Sequence, residues 1–158
     1  MKALKQITLI ILLVLIGCST TPEKKTTLTE IESNAVIGKW LNLWETYDVN
    51  LLGDIFLKSD ELTYFSSEKR GLIKGYNKMK PHHIGFGFVE GGKKPAKSLW
   101  LENIETRVYD GSIMVGGVWY FGDKSLPKDS ISNGPVTFII VKDKQGLAKI
   151  MHTHFANY

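Results

Sequence analysis

Asp110-Gly111 stands between two long β-rich runs, LWLENIETRVY before it and SIMVGGVWYFG after it. An Asp-Gly pair supplies the positive φ angles of a tight two-residue turn, and alternating apolar residues on both sides make this the strongest short-range signal for a β-hairpin. A second pair of runs, PVTFIIVKD and LAKIMHTHFANY, flanks KQG and reads as another hairpin. Together they make a long antiparallel meander. Gly116-Gly117 inside one of its strands marks a bulge or bend, so the sheet is expected to curve.

Helical signals come earlier in the chain. In SNAVIGKWLNLWETY, Val36, Trp40, Leu43, Trp44 and Tyr47 recur at spacings of three and four, one face of an amphipathic helix. Ser33 or Asn34 is the expected cap. Asp48 then caps a short second helix over VNLLGDIF, with Val49, Leu52, Ile55 and Phe56 on its buried side. LTYFSS follows as a strand. Farther on, YNKMK forms one or two helical turns, Pro81 argues against continuing them, and Gly85 and Gly87 suggest a loop or irregular strand. EGGKKPAKS is a loop. Helices first and a meander afterwards make an α+β layout.

The chain opens with Lys2 and Lys5, an apolar run from Ile7 to Ile16, and then LIGC. The run is shorter than the roughly 18 residues a spanning helix needs and has the form of a signal peptide. LIGC resembles the lipobox of bacterial lipoproteins, which implies cleavage before Cys18 and lipid on its sulfur. Two or more acyl chains anchor a protein stably to a membrane, whereas one does so marginally. Ser19 is not the Asp that retains many lipoproteins in the inner membrane, so the resemblance favours the outer membrane where the organism has one. The expected organisation is a signal peptide over 1–17, a lipidated cysteine and flexible tether over 18–32, and one domain over 33–158. The location that follows is the bacterial cell envelope.

Composition sharpens this. Cys18 is the single cysteine, so the exported domain holds no internal disulfide and no thiol redox pair. The formal charge of +4 includes Lys2 and Lys5, which leave with the signal. No stripe of Lys/Arg with interleaved aromatics points to nucleic acid. GFGFVEGG lacks the spacing and the following helix of a dinucleotide or phosphate loop, and the serines lack a nucleophile-elbow context.

The order of YDVNLLGDIFLKSDELTYFSS, then GLIKG, then a terminal GLAKIMHTHF, resembles the nuclear-transport-factor-2-like superfamily, in particular its SnoaL-like branch. The resemblance runs from about Asn34 to Phe155. It implies a cone-shaped half-barrel, with the N-terminal helices packed in the concave face of a curved, mostly antiparallel sheet, and a dimer through that sheet. The superfamily holds isomerases, dehydratases, cyclases, transport factors and binding proteins, so fold does not fix function. Counting from Asp48 and Phe56 puts Trp40 where isomerases of the superfamily carry a catalytic Tyr. Their catalytic Asp falls at Tyr64 to Ser66, where no carboxylate stands. Proton abstraction beside a carbonyl then lacks its base, and no enzymatic activity is assigned.

The candidate site follows from side-chain type and alternation. His152 and His154 lie two apart on a strand and share a face, with Ala148 and Ile150 expected beside them. Their pKa range makes them the candidates for acid–base chemistry. They are also the only candidates for a metal, but zinc needs three or four ligands and the other pair, His82 and His83, diverges, so no metal is assigned. Trp40, Trp44, Tyr64 and Trp119, with His152 and His154, are the expected lining of the cone. The partner is then a small, partly apolar molecule, and no cofactor is assigned. The rival readings are an enzyme acting through His154 and His152, and a dimerising interaction module of the envelope.

Overall fold

The structure, a computed structural model, describes residues 27–158. The expected signal peptide, Cys18 and the expected tether as far as Thr26 lie outside the described residues. Helix α1 spans Glu30–Thr46 and begins a turn earlier than the Ser33/Asn34 cap expected from sequence. Thr29 is the cap instead. Its hydroxyl accepts from Glu32 N–H while the Glu32 carboxylate accepts from Thr29 N–H at 2.9 Å, a capping box that satisfies two end groups at once. Ser33 is left fully buried inside the helix. At the other end Tyr47 adopts a left-handed φ of 50° and stops α1.

Asp48 caps the next turn as expected, its carboxylate accepting from Asn50 N–H at 3.0 Å. A 3-10 turn at Val49–Leu51 leads into the single turn of α2, Leu52–Ile55. Strands β1 (Thr63–Ser66) and β2 (Lys69–Lys74) follow, then α3 (Tyr76–Phe86). The meander consists of β3 (Ser98–Tyr109), β4 (Ser112–Gly122), β5 (Ser132–Lys142) and β6 (Ala148–Phe155).

The strands form one sheet in the order β2-β1-β6-β5-β4-β3. Every pairing is antiparallel except β1 with β6. Both expected hairpins are present. Tyr109 pairs with Ser112 across the turn, where Gly111 takes a φ of 80°. In the other, Asp143 N–H donates to Leu147 C=O and Gly146 takes a φ of 77°. The expected bend is also there. Its extra residue lies on β3, where Asn103 has a φ of 51°, opposite Gly117. A Cβ on Gly117 would stand 3.1 Å from Glu102 C=O, so the glycine makes room for the bulged neighbour.

Helix α1 packs on the inner face of this curved, open sheet. Trp40 is fully buried, edge-on to Phe138 of β5 at 5.0 Å and stacked on Phe155 of β6 at 5.7 Å. Ile113, Val115, Phe138, Ile140 and Ile150 complete that core.

Two local expectations are corrected. Pro81 does not end the third helix, which runs on to Phe86. Proline removes one N–H bond, to the carbonyl four residues back. Here that residue, Asn77, and Pro81 both lie on the exposed side of the helix. Gly85 is helical, and Gly87, with a φ of 108°, is the left-handed residue that ends the helix.

Candidate functional site

A further correction concerns the histidine pair. Ile139 pairs with His152, yet Ile140 pairs with Ile150, so Met151 is an extra residue in β6. A bulge breaks the alternation on which co-facial assignments rest. Ile150 therefore points inward and is fully buried, while His152 and His154, on the other side of the bulge, point outward beside Ile139 and Thr137. Thr153 and Phe155 take the inward positions on that half of the strand. The histidines do not line the cone, and an acid–base pair of His154 and His152 acting on a molecule inside it is not what the fold builds.

The pocket lies on the opposite side of the sheet, between the C-terminal end of α1, helix α3 and the inner faces of the strands. Counted with its open mouth, it measures about 450 Å³. Trp44, Tyr64 and Trp119 line it, together with Phe86, Phe121 and Phe155. Trp40 lies behind them in the core rather than on the wall. The Trp119 indole N–H donates to Ala156 C=O at 2.9 Å, fixing that ring against the chain end. Phe121 carries Lys97 over its face, 5.6 Å from the ring centre. Tyr120, the next residue, faces outward and stacks on Trp100 at 5.3 Å.

One wall is polar. Ser66 of β1, Ser67 and Glu68 of the following turn, and His82 and His83 of α3 supply it. Glu68 lies just beyond the 64–66 window that lacks a carboxylate, and the turn brings it to the pocket. His82 is half-buried. Desolvation lowers its pKa, as does Lys69, while Glu68 pulls it upward. His82 and Glu68 are the ionisable groups of this wall that are not fully buried.

His83 is almost wholly buried. Its Nδ1–H donates to Met79 C=O of the preceding turn at 3.1 Å, which assigns the proton to Nδ1 and the lone pair to Nε2. Burial among Trp44, Phe56, Tyr64 and Phe88 pushes its pKa down to about 4, so the ring is neutral. Its Nε2 and the Trp44 indole N–H have no hydrogen-bond partner and are sealed from water beneath the wall. Burial likewise raises the Tyr64 phenol, which stays protonated.

His82 and His83 were legible as a pair but not as pocket residues. The signal was the stripe Tyr76, Met79, His83 and Phe86 at spacings of three, four and three. It is a helix face once Pro81 is accepted on the opposite side.

Helices followed by a meander, with α1 seated in the concave face and a pocket open at one end, decide the architecture. The fold is nuclear-transport-factor-2-like. A nuclear-transport-factor-2-like superfamily protein from Salmonella enterica serovar Typhimurium superposes with a TM-score of 0.63 at 18% identity, over 81% of this chain and 91% of that one. A nuclear-transport-factor-2-like protein of unknown function from Pseudomonas putida gives a TM-score of 0.66 at 14% identity, over 82% and 88%. A CaMKII hub from S. rosetta gives 0.60 at 19% identity, over 81% and 95%. No family model and no curated protein matches the sequence. Likeness at such identities extends to the nuclear-transport-factor-2-like fold and leaves the chemistry to the pocket's own residues.

Among the described residues, no three His, Cys, Asp or Glu side chains are grouped to hold a metal.

Proposed function

We propose that this domain binds a small, flat, partly apolar molecule in the pocket between α3 and the sheet. One observation carries the reading: an open pocket with aromatic walls and a single polar side. Ligand sites are mostly apolar concavities with a few polar groups that orient the guest. Trp44, Trp119 and Phe121 supply faces for a planar ring, and Ser66, Glu68 and His82 supply the polar side. The proposal extends to place and assembly. Lipid on Cys18 tethers the domain to the cell envelope. A second copy pairs with it through the sheet.

A titration with 1-naphthol followed by tryptophan emission tests the binding. Saturable one-to-one quenching is expected. It is lost in Ser66→Trp, which fills the pocket, and kept in His152→Ala/His154→Ala. Quenching that Ser66→Trp leaves untouched contradicts the reading.

A further inference from the structure

The histidines that the bulge at Met151 turns outward form an arrangement that the pocket does not use. They stand two residues apart on one strand, about 6.6 Å along its axis, on the same face and on the same side of the bulge. Phe65 of β1 pairs with His154, and its ring lies 5.2 Å from that imidazole and 6.2 Å from His152. His152 Nδ1 is within 2.8 Å of the Thr63 hydroxyl oxygen. The far edge of the ring, with Nε2, therefore points away from β1.

From these positions we infer that His152 and His154 form a bidentate site for a divalent transition metal on the outer face of the sheet.

The chemistry of the donors supports this. Imidazole suits Cu²⁺, Ni²⁺ and Zn²⁺. A metal bound through one ring nitrogen needs the proton on the other, and a hydrogen bond to that second nitrogen fixes the ring and its tautomer. With metal at His152 Nε2, Nδ1–H donates to the Thr63 hydroxyl oxygen, so Thr63 is a positioning residue already in place. His154 is exposed, its ring beside Phe65 at the surface. The surroundings do not oppose a cation. Thr63 and Phe65 on one side, and Thr137 and Ile139 on the other, carry no charge. The nearest cationic residues by register are Lys149, the preceding outward residue of β6, whose ammonium donates to Gly53 and Asp54 C=O, and Lys74, paired with Thr63 one strand farther out. Two imidazoles leave the other coordination positions to water, so the metal exchanges rather than holding the fold together. Zinc sites that serve structure use four protein ligands.

Titration of tag-free protein with Cu²⁺, the divalent ion that nitrogen sites hold most tightly, tests the inference by NMR of the imidazoles. Paramagnetic broadening should appear first at His152 and His154, with His82 and His83 still sharp. His154→Ala removes an exposed ring and leaves the fold intact, and it should weaken binding at least tenfold. Thr63→Val, which keeps both ligands, should weaken it about tenfold through lost orientation. Broadening spread evenly over the molecule, or unchanged affinity in His154→Ala, overturns the site.

Discussion

At the scale of residues, the most consequential side chain is His83. It is held neutral by burial, with its Nδ1–H tied to Met79 and its pKa brought from 6.5 to about 4. In the unfolded chain the same ring takes up a proton near 6.5, so acid favours unfolding. The stability that depends on its neutrality is complete above pH 6.5 and declines as pH falls toward 4, below which both states are charged. The size is at most about 3 kcal/mol, from 1.36 kcal/mol per pKa unit. Urea unfolding at pH 7 and pH 4.5 should show this loss in the native protein. His83→Phe, which keeps a ring and removes the titration, should lose about 2–3 kcal/mol less between the two conditions. An equal loss in both proteins would assign the acid sensitivity elsewhere. His82 and His152 share the direction of shift but are only half-buried.

At the scale of elements, patterns with short periods were legible and their interruptions were not. Asp110-Gly111, the Trp40/Trp44 stripe and the Asp48 cap each act within a few residues, and each specifies its own turn or helix. Gly116-Gly117 marked a bend, although the bulge it accommodates lies on the partner strand at Asn103. Met151 gave no warning. It is an unremarkable apolar residue in a strand, and only the pairing of β5 with β6 shows that it is the extra one. That one residue moved His152 and His154 from the inside of the cone to the outside. Pro81 misled in the other direction, because it and Asn77, whose carbonyl loses its partner, lie on the exposed side, where the loss is smallest. Pro81→Ala restores the N–H to Asn77 C=O and should stabilise the protein by about 2 kcal/mol, the helix gain less the entropy that proline removes from the unfolded chain. Thermal denaturation checks this, and a lower midpoint in the variant would show that the ring itself packs.

At the scale of the whole molecule, the sheet separates two surfaces with different chemistry. The inner one ends in the aromatic pocket with its polar side at β1 and α3. The outer one carries the histidine pair and the stacked Trp100 and Tyr120. The four tryptophans sample both. Trp44 and Trp119 line the pocket, Trp40 lies in the core behind it, and Trp100 faces outward. Indole N–H resonances followed during a 1-naphthol titration therefore locate the guest directly. The pocket account predicts saturable shifts at Trp44 and Trp119 with Trp100 unmoved; shifts confined to Trp100, or none that saturate, would contradict it.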